Sequence, residues 1–152
     1  MWSNYLITYF HYLSIIFLTG SLFVELFLIK QIILKDQLKK LTLVDGIYGI
    51  SSVVLVATGL LRVFYFGKGD AYYFANWVFI LKFSLFILVG LLSIYPTVLF
   101  LKLNKKLKKS NEASIEIPRY SLIKGIVISE ILIVLIIPLL AILMAQGVGL
   151  AQ

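Results

Sequence analysis

The chain has 152 residues, 61% of them hydrophobic, a formal net charge of +7 and no cysteine. A mean hydropathy of +1.03 sets it far above a soluble domain, and at this length one domain is expected. The lack of cysteine excludes disulfides, thiolate metal sites, iron–sulfur clusters and covalent c-type haem. The bases gather in loops between apolar runs, which argues against a nucleic-acid surface.

The first apolar run covers residues 5–29, longer than the roughly 20 residues that cross a bilayer. No basic residue precedes it, so it does not read as a cleaved signal. His11, Ser14, Leu18, Ser21 and Glu25 are spaced 3, 4, 3, 4 and share one helix face. Glu25 is expected at the interface, within reach of Lys30. A loop with Lys30, Lys35, Lys39 and Lys40 follows. Asp45 is expected to cap the second run, residues 47–66. There Tyr48, Ser51, Ser52, Leu55, Thr58, Gly59 and Arg62 fall on one face.

Residues 67–76 form a short, turn-rich link. Its Gly67-Lys68-Gly69-Asp70 lacks the spacing of a phosphate loop. Tyr72, Tyr73, Phe74 and Trp77 read as an interfacial aromatic belt. The third run, residues 77–101, carries Lys82, Phe86, Val89, Ser93 and Pro96 at spacings of 4, 3, 4, 3. Residues 105–118 are lysine-rich and read as disordered, either fixing orientation or touching anionic lipid. In the fourth run, residues 120–145, Ser121, Gly125 and Ser129 offer small residues for close helix approach. Glu130 lies about a quarter turn from them, protonated or bonded to serine.

The runs lack strict alternation and are too long for barrel strands, so they are helices. The predicted fold is all-α: an integral membrane four-helix bundle, a single domain over residues 1–152. Lys30 to Lys40 and Lys102 to Lys124 include 11 of the 14 Lys and Arg residues. Both groups lie on one side of a four-span protein, and the positive-inside rule makes that side cytoplasmic. Both termini then face outward.

This orientation puts His11 about 9 Å, Arg62 about 6 Å and Lys82 about 7.5 Å below the outer ends of their spans. Asp70 is the one acid expected on that side; Glu25 and Glu130 lie too deep to neutralise the layer. Arg62 and Lys82 either snorkel to the headgroups or face inward; their place on the polar stripes favours the inward reading. His11 is either a neutral ring bonded inside the bundle or a ligand. Three bases around one pocket suit an anionic guest. Haem fits, with imidazole on iron and Arg and Lys on the propionates; a quinone headgroup or lipid phosphate fits as well. One histidine per chain makes bis-histidine ligation a property of a dimer.

Asp45-Gly-Ile-Tyr48-Gly49, Gly59-Leu-Leu-Arg62-Val-Phe-Tyr65, Tyr72-Tyr73-Phe-Ala-Asn76, Lys82 and Leu92-Ser93-Ile-Tyr95-Pro96-Thr97 together resemble an uncharacterised family of bacterial membrane proteins, domain-of-unknown-function family 2214. The resemblance covers most of residues 11–103. It implies a four-span bacterial inner-membrane protein and no known activity. Tyr65 and Asn76, in the runs that carry it, join His11, Arg62 and Lys82 as candidate cofactor-binding residues.

A fainter likeness, carried by His11, Trp77 and Lys82, reaches the four-span HemJ-type protoporphyrinogen oxidases and the CopD copper-resistance proteins. In the oxidases such positions relate to haem binding and catalysis. One His, two Met and no Cys make a thin ligand set for copper. The leading expectation is a membrane protein that binds haem b or a porphyrin-like anion, with His11 on the iron and a redox role. The alternative is a non-enzymatic binding or assembly protein that holds a lipid or quinone headgroup; a transporter comes third and would need oligomers. The partners expected are membrane lipids and a second copy of the chain, not nucleic acid.

Overall fold

The computed structural model describes residues 2–110 and 112–150. Asn111, in the segment read as disordered, and the end residues Met1, Ala151 and Gln152 lie outside the described residues. The chain forms α1 (Trp2–Leu28), β1 (Ile32–Leu34), α2 (Lys35–Leu61), a π-helical turn over Arg62–Phe66 that prolongs α2, the short α3 (Asp70–Phe74), α4 (Trp77–Lys109), β2 (Ser114–Glu116) and α5 (Tyr120–Ala145). The four long helices are each long and apolar enough to cross a membrane. Each packs on its neighbour in the chain, and α1 closes the ring against α5.

The inward faces follow the stripes for three helices. Ser14, Leu18, Ser21, Leu22 and Glu25 are buried on α1; Tyr48, Ser51 and Thr58 on α2; Val89 and Pro96 on α4. Large apolar side chains such as Ile16, Phe27, Ile50, Val53 and Leu91 face outward, where only acyl chains would solvate them. The fourth stripe is different from the expected one. Ser121, Gly125 and Ser129 are exposed, and Ile123, Val127, Glu130, Ile131 and Val134 are buried. Ser129 donates to the Gly125 carbonyl of its own helix at 2.9 Å, so its hydroxyl needs no partner across the bundle.

Two helices outrun the apolar windows at the lysine-rich end. α2 starts at Lys35 and α4 continues to Lys109. Leu38 and Leu41 on α2, and Phe100, Leu103 and Leu107 on α4, extend a buried seam while the intervening lysines point outward. Lys106, Lys108 and Lys109 in the last turn of α4 also suit the negative end of its dipole. Asp45 therefore lies inside α2 and does not cap it; its carboxylate accepts from Thr97 Oγ1 of α4 at 2.7 Å.

The segment read as disordered contains a strand. β2 pairs antiparallel with β1, Ile32 facing Glu116, Ile33 facing Ile115 and Leu34 facing Ser114. Ile117 N donates to Gln31 O at 2.8 Å and Lys35 N to Ala113 O at 3.0 Å, which prolongs the ladder on both sides. Ile33 and Ile117 are buried beneath it. The lysine-rich end of the bundle thus has a floor of its own.

Candidate functional site

At the opposite end, α1, α2, α4 and α5 diverge around a cavity of about 740 Å³. Its walls include His11 and Tyr12 from α1, Arg62 from the π turn and Lys82 from α4, with Lys68 and Tyr72 across the mouth. The three bases expected in one layer therefore meet in one space. Among the described residues no carboxylate lines it. Asp70 is exposed at the start of α3, and its Oδ1 accepts from the Ala71 amide at 2.8 Å.

His11 is held by its Nδ1, 3.0 Å from Thr58 Oγ1. The Thr58 hydroxyl donates to the Val54 carbonyl at 2.7 Å. With that proton committed, Thr58 oxygen accepts from His11 Nδ1–H. The tautomer that results leaves a lone pair on Nε2, the arrangement of an imidazole ready to bind a metal or accept a proton. Gly59 makes room: a Cβ there would meet His11 Cε1 at 3.4 Å.

Arg62 and Lys82 rest against aromatic rings. The guanidinium lies 5.9 Å from the Tyr12 ring centroid and the Lys82 ammonium 5.4 Å from that of Phe79. Among the described residues the one salt bridge is Lys39–Asp36, on the surface of α2. Arg62 opens the π turn, and its amide is shared between the Gly59 and Thr58 carbonyls. Such single-turn widenings recur at functional sites because they re-aim one side chain without ending the helix.

The cavity end of the bundle is strapped together by hydrogen bonds to main-chain carbonyls. Tyr72 donates to Met144 O at 3.0 Å and Trp77 N to Gly149 O at 3.2 Å. Tyr72 and Tyr73 consequently line the cavity; Phe74 and Trp77 alone point outward as the aromatic belt required. Lys68 donates to Tyr72 Oη at 3.3 Å and crosses the same rim.

Two expected members stand elsewhere. Tyr65 is 77% exposed and does not line the cavity, because the π turn carries it to the outer face. Asn76 is fully buried with its amide committed: Oδ1 accepts from Val78 N at 2.9 Å and caps α4, and Nδ2 donates to Val148 O at 3.0 Å. It positions the rim and does not face a ligand. Glu25 is also displaced from its expected interface. It is 2% exposed, forms no pair with Lys30 and faces the bundle centre with Asp45 and Glu130. The members not anticipated are Tyr12, Lys68, Tyr72 and the Thr58 hydroxyl. Thr58 lay on the α2 stripe one turn before Arg62, and Tyr12 adjoins His11, so position alone offered a signal for both.

A cavity with three cationic side chains, one imidazole with a free nitrogen, aromatic walls and an apolar floor can hold an amphiphile by its acidic end. Leu18, Leu55, Phe86 and Val134 form that floor. A family model described as "Predicted membrane protein (DUF2214)" matches residues 3–149. No curated protein and no solved structure matches the chain.

Proposed function

We propose, for a chain that belongs to the DUF2214 family of predicted membrane proteins, that the cavity binds a membrane amphiphile with acidic groups on an apolar body, and that haem b or a related porphyrin is the guest that uses every polar wall. The observation that carries this reading is the convergence of His11, Arg62 and Lys82 on one cavity that no acid lines among the described residues. A bound haem supplies one-electron redox chemistry. The residues present suit it. His11 Nε2 is free to ligate while Thr58 fixes the ring, and Arg62, Lys68 and Lys82 can hold propionates. The volume falls within the roughly 300–1,000 Å³ usual for small-molecule sites. One imidazole per chain leaves two-histidine ligation to a dimer.

A second reading rests on the apolar floor. Leu18, Leu55, Phe86 and Val134 lead away from the bases toward the bundle centre, a path suited to an alkyl or isoprenoid chain. A phospholipid or quinone headgroup would then occupy the basic layer in a protein without catalysis. In both readings the lysine-rich end faces the cytoplasm of a bacterial inner membrane, so the cavity serves the outer leaflet.

The deciding experiment is an absorption spectrum of the protein purified with haem supplied, beside native mass spectrometry of the same sample. The haem reading expects a Soret band that His11→Ala abolishes. A colourless sample that retains a lipid or quinone, lost on Arg62→Gln with Lys82→Gln, selects the second reading. Retention of that ligand by the double variant would remove the cavity as the binding site.

A further inference from the structure

Below the cavity floor the bundle interior changes sign. Leu18 of α1, Leu55 of α2, Phe86 of α4 and Val134 of α5 close the cavity. One to two turns farther along, about 6–10 Å at the helical rise, come Glu25, Tyr48, Ser93 and Glu130. Asp45 follows three residues beyond Tyr48. Glu25 is 2% and Glu130 1% exposed, and Asp45 is buried too. All three carboxyls lie within electrostatic reach of one another. Asp45 accepts from Thr97, whereas Glu25 Oε1 and Glu130 Oε1 are buried with no hydrogen-bond partner among the described residues.

Among the described residues the charged and titratable groups facing this cluster are few. α1 brings Glu25; α2 brings Asp45 and Tyr48; α4 brings only the hydroxyls of Ser93 and Thr97; α5 brings Glu130. The lysines nearest in sequence, Lys30, Lys40, Lys102 and Lys124, are exposed. Several ionised carboxyls cannot share a low-dielectric interior with no cation among them. The cluster therefore takes up positive charge. Among the described residues no group of three or more His, Asp or Glu is placed to hold a metal ion.

We propose that Glu25 and Glu130 form a proton-binding site in the bundle core, beneath the cavity and independent of what fills it. Asp45, bonded to Thr97, is the fixed member, and the two partnerless glutamates carry the exchangeable protons. Intramembrane acids of this kind are the usual elements of proton pathways.

The test uses the full chain in detergent micelles and a hydrophobic carbodiimide, which adds covalently to protonated carboxyls in apolar surroundings. Intact-mass and peptide analysis should place the adduct on Glu25 or Glu130, and its yield should fall roughly tenfold per pH unit above the site's midpoint. Replacing choline chloride by sodium chloride at fixed pH should leave the yield unchanged. Glu25→Gln and Glu130→Gln should each lose their own adduct. The carboxylic C=O infrared band of the unmodified chain, bleached at alkaline pH, gives the same readout where a variant does not fold. Absence of both adduct and band from acid to alkaline pH would overturn the proposal. Protection by sodium at constant pH would overturn it in favour of a metal cation.

Discussion

His11 Nδ1 lies 3.0 Å from Thr58 Oγ1, and that hydroxyl spends its own proton on the Val54 carbonyl one turn earlier. The pair ties α1 to α2 and decides which imidazole nitrogen faces a guest. Thr58→Val keeps the shape of the side chain and removes the acceptor. It should leave the helices intact and weaken binding that depends on His11 by about tenfold or more, the usual effect of losing an orienting partner. Thr58→Ser should restore most of it. Titration of each purified variant with haemin or with the retained ligand provides the comparison; equal affinities for the three proteins would show that the pairing does not prepare the ring.

Arg62 and Lys82 lean on aromatic rings and have no acid beside them among the described residues, so their charge is available to a ligand. Arg62→Gln and Lys82→Gln should each cost about 1.5–3 kcal/mol of affinity for an anionic amphiphile, the range for hydrogen bonds to charged groups. The double variant should fall short of the sum, because both contact one guest. An uncharged analogue of the ligand should bind all four proteins alike. Quantitative mass spectrometry of co-purified ligand gives the first measure and direct titration the second.

The basic layer was legible because its members recur at helical spacing, and depth along a straight helix follows from counting residues. The acid cluster was not. Glu25 lies a little over one helical turn before Lys30 and Asp45 precedes an apolar run, so each has a local explanation that hides a tertiary one. The lysine-rich ends of α2 and α4 run past their apolar windows for a related reason. Lysines at 35, 39, 40, 105 and 106 make these windows polar, while the Leu38–Leu41 and Leu103–Leu107 pairs keep the helical seam going. The β1–β2 ladder joins three-residue strands some 80 residues apart, too short to show a period. Tyr65 stands outside the cavity because the π turn shifts the face that each residue of Arg62–Phe66 presents.

Ile33 and Ile117 seal the ladder against the core, with 0% and 1% exposure. Replacing either by Ala should destabilise the protein by about 2–5 kcal/mol, as for other buried aliphatic truncations. Replacing Ile32, whose side chain is exposed, should cost far less. Thermal unfolding in a fixed detergent, followed by circular dichroism, separates the two. The cavity lies at the other end of the bundle, so ligand affinity below the melting range should not change.

A chain free of cysteine allows orientation to be tested with single introduced thiols. Ser114→Cys lies in β2 at the lysine-rich end, and Lys68→Cys lies on the cavity rim. In intact cells a membrane-impermeant maleimide should label the rim thiol and spare the strand thiol. In inside-out vesicles the order should reverse. Labelling of the strand thiol alone in intact cells would invert the orientation and move the cavity to the inner leaflet.

Gly67 and Gly69 follow the π turn two residues apart, and alanine at each should act differently. A Cβ on Gly67 would collide with the Arg62 carbonyl and the Tyr73 hydroxyl. Neither can yield cheaply: the carbonyl belongs to the π turn, and Tyr73 is wedged against Phe79 at a ring distance of 5.2 Å. Gly67→Ala should therefore pry the turn open, displace Arg62 and cost about 1–3 kcal/mol, the range for overpacking. Gly69 has open space around it, but its φ of 90° falls where a side chain is disfavoured. Gly69→Ala should cost about 1–2 kcal/mol through local strain at the start of α3 and leave Arg62 in place. Melting temperature alone would not distinguish these effects, whereas ligand affinity would. It should drop with Gly67→Ala and hold with Gly69→Ala, and a matching drop in both would mean that the rim as a whole, not the seat of Arg62, governs binding.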